Sequence, residues 1–404
     1  MTKIRIFLFL VTLIVVGAVA YFVSMYARGY RFNENSLKFS PHGLLVVKSD
    51  PDGAQVYINE ELKTATNATI PLAPGTYDVS IRKDGFFSWN KRLTIKKEEV
   101  TETTAQLFKS VPSLSALTFS GSINPIPSDD MSKVSYVVPF DSTKTGSEDK
   151  SGLWILETVD LPLGFTREPR RITDGDLSGT DWSWSPDGRE ILLITKTGTY
   201  LLSVSSFTSQ KQRVNINLQK DKTLTSWDAE RKLKLTSKIK GLPEELQSIL
   251  ERKAKSIVFS PDEDMVLYTA SGSAVIPQNL IKPLPGTSTQ KEERNIINDK
   301  TYIYDIKEDR NFLVDDASSD LVIGAGYLNN SKRRMMWFPT SRHLILAETG
   351  KIIIMDYDGT NRQEIYAGNY IAPHAYPTIS HDRLLIVTNL GATSVPNVYT
   401  LSLK

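Results

Sequence analysis

The stretch from Trp182 to Ile194, Trp-Ser-Trp-Ser-Pro-Asp-Gly-Arg-Glu-Ile-Leu-Leu-Ile, constrains the chain most, because it is a unit that recurs. A short apolar run, a Pro-Asp-Gly turn and a second apolar run predict an antiparallel hairpin. Imperfect copies start at Phe259-Ser260-Pro261-Asp262, at Phe338-Pro339-Thr340-Ser341 and at Ile379-Ser380-His381-Asp382. Weaker candidates are Pro127-Ser128-Asp129-Asp130 before Lys133-Val134-Ser135-Tyr136, and Trp227-Asp228-Ala229-Glu230 before Lys232-Leu233-Lys234-Leu235. Repetition at roughly forty-residue spacing is the mark of a propeller or solenoid. Counting both weak candidates gives six hairpins, and therefore an expected six blades with five or seven as alternatives.

Each hairpin is followed by a third apolar strand, as at Leu153–Leu156, Thr199–Val204, Thr301–Ile306 and Ile352–Tyr357. The final repeat ends with the strand Asn397–Leu403 and lacks an outer strand, whereas Ser115–Ser120 has an outer-strand sequence with no blade before it. The two are expected to pair, closing a ring with its own termini and hiding sheet edges that invite aggregation. Two insertions break the rhythm. Residues 241–254 carry Pro243 and two acids in a first turn, basic residues in a last turn, and Leu246, Ile249 and Leu250 on one face, which predicts a helix. Residues 271–299 form a long polar loop, a feature that is either functional or disordered, and disorder or surface decoration is the expectation.

At the other end, residues 4–26 are almost unbroken apolar with a single charge, Arg5. About twenty such residues cross a bilayer core. Residues 1–28 therefore read as a cytoplasmic tail and transmembrane helix, with Tyr21 and Tyr26 at an interface. A cleaved signal peptide with its site at Ala18-Val19-Ala20 is the rival reading, but the apolar run continues to Met25. Lys3 and Arg5 are balanced by Arg28 and Arg31, so charge alone does not orient the helix.

Residues 29–42 are a polar connector, and residues 43–108 alternate with period two between tight turns, which suits a small β-sandwich. Pro51-Asp52-Gly53-Ala54, Leu72-Ala73-Pro74-Gly75-Thr76-Tyr77 and Lys83-Asp84-Gly85-Phe86 together resemble the PEGA domain. The family's Asn-Gly turn is replaced by Asn59-Glu60-Glu61, and its Gly-x-Thr-Pro segment by Thr64–Thr69. The resemblance implies a non-catalytic module of bacterial and archaeal envelope proteins. After a linker at 109–114, residues 115–404 resemble the TolB-type β-propeller, most closely at Trp184 and at the Asp356–Asn361 turn. The fold class expected is all-β: a transmembrane helix, a PEGA-like sandwich, then a propeller.

A charge of +2 gives no argument for nucleic acid, and the absence of cysteine removes disulfides and thiolate chemistry. His42, His343, His374 and His381 lack ligand spacing, and His343 and His381 are expected on solvated turns. Asp187, Asp262 and Asp382 read as turn caps, and Trp154, Trp182, Trp184, Trp227 and Trp337 as repeat core rather than a sugar-stacking platform. No catalytic, cofactor-binding or metal-ligating residue is expected, and no cofactor. The function expected is a membrane-anchored, extracytoplasmic, non-enzymatic binding or scaffold protein of the cell envelope, its partner an envelope protein or cell-wall glycan. A glycan-active enzyme with its site in the propeller channel, or a purely structural spacer, is the alternative; the oligomeric state is left open.

Overall fold

The computed structural model describes residues 2–27, 30–33, 38–143, 146–160, 167–282, 288–316, 320–326, 330–390 and 395–404. The chain divides into two compact units, Met1–Leu107 with Pro283–Gln290, and Phe108–Lys282 with Lys291–Lys404. It is mostly β, with one long apolar helix at its start.

That helix, Thr2–Ala27, runs seven residues past Ala20 without a break. Its span Ile4–Ala27 is apolar, and none of it is buried. At 1.5 Å per residue it is about 36 Å long, enough to cross a bilayer core of about 30 Å. Within the expected connector, Arg31–Asn33 pairs antiparallel with Lys38–Ser40, and residues 43–106 form a two-sheet sandwich. One sheet places Gly43–Asp50 between Ala68–Leu72 and, in parallel, Val100–Gln106; the other orders Glu61–Ala65, Gln55–Ile58, Gly75–Arg82 and Trp89–Ile95. Alternation puts Leu45, Val47, Val56, Ile58, Val79 and Ile81 inside, with Trp89 closing the core. The turn that lacks the family's glycine holds Asn59 and Glu60 at φ of 49° and 66°, the two left-handed residues that a tight two-residue hairpin needs. Ser49 and Thr66 share a 2.7 Å hydrogen bond inside, and Thr66 Oγ1 also accepts from the Ala54 amide at 3.0 Å.

The second unit contains, among the described residues, five sheets of three to five strands. The first is Ile123–Pro127, Lys133–Val138, Gly152–Glu157 and Arg170–Asp174, each antiparallel to the next. The second is Asp181–Trp184, Glu190–Thr195 and Gly198–Ser203. The third joins Ala254–Phe259, Met265–Ala270, Thr301–Asp305 and Arg310–Asp315. The fourth takes Arg333–Trp337 through His343–Glu348 and Lys351–Asp356 to Gln363–Ala367, with Leu321–Ile323 added in parallel. The fifth runs Ala375–Pro377, Arg383–Thr388, Asn397–Ser402 and finally Ser113–Ala116.

The pairing expected between the two ends of this region is present, but its strand is Ser113–Ala116 and not Ser115–Ser120, so it begins inside the segment expected to be a linker. Ser113, Leu114, Ser115 and Ala116 oppose Ser402, Leu401, Thr400 and Tyr399, and the ladder continues through the Leu117 amide to the Val398 carbonyl. The last strand thus has neighbours on both sides, and its buried Val398 and Leu401 are covered.

Two expectations change. Trp227–Leu235 is not a hairpin: Lys220–Ile239 is a helix of 20 residues, so one of the six hairpins counted from sequence is absent. The segment contains neither proline nor glycine, so nothing there stops the helix. A second helix, Glu244–Lys253, lies within 241–254 and buries Leu246 and Leu250. The 271–299 loop, for its part, is tied down at its base, where Ala274–Val275 pairs with Asn295–Ile296 and Ile276 and Ile296 are buried. Arg294 anchors it by donating to the Pro277 carbonyl at 2.5 Å and to the Asp309 carbonyl.

Candidate functional site

The repeating hairpin turns form the best-defined set of polar groups, and they share one geometry. In each sheet the first residue of a six-residue turn donates its amide to the carbonyl of the sixth: Ser128 to Lys133, Ser185 to Glu190, Ser260 to Met265, Phe338 to His343 and Thr378 to Arg383, at 2.9–3.2 Å. The fourth residue of every turn is left-handed, namely Met131, Gly188, Glu263, Ser341 and His381, with φ between 57° and 65°. Only the second sheet places glycine there, where that conformation carries no steric cost.

The aspartates bond the serines and amides of their own turns. Asp187 Oδ1 accepts from Ser185 Oγ at 2.6 Å and the Arg189 amide at 3.0 Å. Asp262 and Asp382 accept from Ser260 Oγ at 2.7 Å and Ser380 Oγ at 2.5 Å. The hydrogen bond from Ser185 leads in holding the Asp187 carboxyl below its usual range. At Asp130, Asp262 and Asp382 burial pushes the other way, and the combined serine, backbone and cation contacts still keep the carboxyls low. Carboxylates held ionised by the hydrogen bonds of their own turns make poor proton donors at neutral pH.

The tryptophans tie neighbouring sheets together. The indole N–H of Trp184 donates to the Ile126 carbonyl at 3.0 Å, that of Trp182 to Ser135 Oγ at 2.8 Å, and that of Trp337 to the Val258 carbonyl at 3.2 Å. All three rings are buried, so they present no stacking surface. Trp154 is half-buried and donates to the Lys150 carbonyl at 2.8 Å, whereas Trp227 is a buried residue of the Lys220–Ile239 helix.

The histidines separate. His381 is exposed on its turn, as expected. His343 is not solvated: it is a strand residue 5% exposed, bonded through Nδ1 to Thr340 Oγ1 at 2.8 Å, with Nε2 3.5 Å from Asp356 and its ring edge-on to Phe108. The fourth turn lacks the aspartate of the others, and Thr340 with His343 supplies its polar filling instead. His42 lies in the first unit, where its carbonyl accepts from the Glu98 amide.

A cluster that the sequence does not announce joins His374, Tyr376 and Arg334. Tyr376 is fully buried and its hydroxyl donates to the Pro125 carbonyl at 2.8 Å, so the hydroxyl accepts from His374 Nδ1 at 2.7 Å. Arg334, 3% exposed, donates to the carbonyls of Gly324 and Gly326 at 2.7 and 3.0 Å. Burial, helped by the Arg334 charge, pushes the His374 imidazole down to about 4, and burial raises the Tyr376 hydroxyl to about 12. The cluster is a neutral imidazole and phenol beside one cation, with no nucleophile placed against a base. Elsewhere, Asp305 is 1% exposed and pushed up to about 6 by burial and by the Glu308 carboxylate, with the Arg342 guanidinium 3.7 Å away.

Among the described residues no group of three or more histidine or acidic side chains is gathered as a metal site would require. Two surface concavities stand out. One of about 400 Å³ is lined by Gln219, Lys222, Thr223, Ser226 and Trp227, and the other, of about 360 Å³, by residues between Phe140 and Asp149.

Residues 42–110 match the family model of the PEGA domain. Among solved structures, the chain is similar to TolB from Acinetobacter baumannii at 11% identity and a TM-score of 0.22, over 87% of this chain and 63% of that one. A chain assigned as TolB from Agrobacterium tumefaciens is similar at 12% identity and a TM-score of 0.22, over 71% and 80%. A eukaryotic initiation factor is similar at 11% and 0.20, over 86% and 83%. The chain thus spans less than two thirds of the Acinetobacter protein, and a search of curated proteins finds no match. The fold of the second unit rests on its own sheets, and the PEGA match is confined to residues 42–110.

Proposed function

We propose that the protein is a membrane-anchored, extracytoplasmic, non-enzymatic binding or scaffold protein of the cell envelope, with a PEGA domain after its anchor and a β-propeller of five blades beyond it. The observation that carries this reading is the apolar helical span Ile4–Ala27, none of it buried, which precedes a matched PEGA domain in the chain. An exposed apolar surface of that length has no stable place in water, and a bilayer is the solvent it fits. Continuation of the helix well past Ala20 favours a retained anchor over a cleaved leader. The five-bladed reading is supported by five sheets with one shared hairpin geometry and by a last sheet completed from the start of the region. Residues 1–28, 43–108 and 115–404 are then tail with anchor, PEGA domain and propeller.

Aspartates engaged by their own turns and buried tryptophans that brace adjacent sheets favour a recognition role over a reaction. The test is retention. The fragment Gly43–Lys404, immobilised and challenged with the source cell's envelope split into protein and polymer fractions, is expected to hold a discrete component. Equal recovery on a surface-scrambled control refutes the binding reading. Turnover of envelope glycan by the purified protein refutes the non-enzymatic one.

A further inference from the structure

The helix Lys220–Ile239 is odd for an insertion in a β protein, because almost none of it is buried: only Trp227 and Ile239 are. It is held instead by polar contacts to three successive hairpin turns. Arg231 pairs with Asp129 of the first sheet at 2.7 Å and donates to the Trp184 carbonyl of the second at 2.5 Å. Lys234 donates to the Pro186 carbonyl at 3.2 Å, and Lys238 reaches Glu263 of the third sheet's turn at 2.8 Å while lying over the Phe259 ring. The helix therefore crosses the face on which the hairpin turns lie and presents its opposite side outward.

That outward side is basic. Residues 211–240 hold nine Lys and Arg against three Asp and Glu, a net of +6 in a chain whose total is +2, so all other residues together carry −4. Lys222, Lys232 and Lys240 are exposed, and no acidic partner falls to them among the described residues. Lys222 and Lys240 are eighteen residues apart, which is about five turns, so they share one line along the helix about 27 Å long; Lys232 stands about 80° to the side. Lys222 also lines the concavity of about 400 Å³ with Gln219, Thr223 and Ser226; the Gln219 side-chain amide and the Ser226 hydroxyl are further donors there, while the Thr223 hydroxyl already donates to the Gln219 carbonyl at 3.0 Å.

We propose that this face binds a linear, phosphodiester-linked polyanion of the envelope. The lysines are spread too far apart for one anionic group, so an extended chain of charges fits them better than a single one. An ammonium is a point charge that needs no planar, bidentate partner, and a phosphodiester chain offers it one full charge at each regularly spaced link. The helix's own arginine, Arg231, is turned inward and already engaged. Attraction spread over separate lysines gives binding that weakens steeply with salt. Choosing an envelope polymer rests on the extracytoplasmic reading; the basic face itself does not.

The test uses the full chain in neutral detergent, with a fluorescent synthetic glycerol-phosphate oligomer as probe and anisotropy as readout over a salt series. Lys222→Gln, Lys232→Gln and Lys240→Gln combined should weaken binding and make the log affinity against log salt shallower by about 2. The Lys→Arg triple should restore both. Lys97→Gln, Lys196→Gln and Lys282→Gln, exposed elsewhere, should leave the parent curve. An equal loss from both glutamine sets, or no binding by the parent, overturns the proposal, provided the circular dichroism of the variants matches the parent. Tighter binding of single-stranded DNA of equal phosphate number overturns the choice of polymer and counts against the extracytoplasmic reading. Preference for phosphatidylglycerol vesicles, or self-association that the glutamine triple abolishes, assigns the face to lipid or to a second copy and overturns it too.

Discussion

Covalent closure of the last sheet tests the pairing of chain ends directly. Ser115 and Thr400 lie opposite each other in the antiparallel pair that completes it. Such pairs have Cα atoms about 4.5–5.5 Å apart, inside the range a disulfide spans. The chain has no cysteine, so Ser115→Cys with Thr400→Cys creates one possible bridge and no rival. The loop it closes is about 285 residues long. Chain entropy then gives an upper figure of about 5–6 kcal/mol, and engineered bridges commonly deliver about 2–4. The assay is urea unfolding of the double variant, oxidised and reduced, with free thiol counted under native conditions. The expected result is complete intramolecular oxidation of the folded protein and a higher urea midpoint that reductant abolishes. Thiols that stay free or bridge between molecules in the folded state would refute the closure, as would an oxidised form no more stable than the reduced one.

Two buried groups should give the stability opposing pH dependences. His374 has its folded value depressed from 6.5 to about 4, so its contribution is present above pH 6.5 and is lost as pH falls towards 4, by about 3 kcal/mol. Asp305 is raised from 3.8 to about 6, so its contribution is present below pH 3.8 and lost as pH rises through 6, by a similar amount. Urea midpoints between pH 4 and 6.5 should therefore fall more steeply on acidification in Asp305→Asn than in the parent, and less steeply in His374→Gln; parallel curves would contradict both assignments. His381→Gly replaces a side chain at φ 57° in an exposed turn and is expected to stabilise by about 0.5–1 kcal/mol, the left-handed strain exceeding the added chain entropy; a lower unfolding midpoint would count against the shared turn geometry. Arg231→Ala removes the contacts to Asp129 and Trp184 and should speed hydrogen exchange across Lys220–Ile239 several-fold while leaving the sheet strands protected. Unchanged exchange in that helix would show that polar contacts do not hold it.

What the sequence made legible was whatever is local. The Pro-Asp-Gly turn and the alternating strands carry their structure within a few residues, and the structure has them; the distant partner of the last strand was legible only because the repeat showed one strand missing at one end and one to spare at the other. Trp227-Asp228-Ala229-Glu230 misled because it copies the tryptophan and acid of the repeat and is followed by two Lys-Leu alternations, a short period-two signal. The competing helical signal was weak, since the side that docks is Trp227, Arg231, Lys234 and Lys238, mostly polar, so no apolar stripe announced it. His343 was misplaced for a related reason: its turn lacks the aspartate, and the histidine is drawn inside to bond Thr340. The cluster of Arg334, His374 and Tyr376 was beyond reach, because the Tyr376 hydroxyl finds its acceptor at Pro125, 251 residues away. Only the assembled sheets bring those residues together.

Whether the anchor stays in the membrane with the rest of the chain outside is measured by labelling single cysteines with a membrane-impermeant maleimide on intact cells. The natural chain supplies no background, and Lys196 is exposed on a strand turn of the second unit. The prediction is that Lys196→Cys labels on intact cells, while Thr2→Cys labels only after lysis and stays with the membrane fraction. Labelling of Thr2→Cys alone on intact cells, or of neither until lysis, would contradict the account.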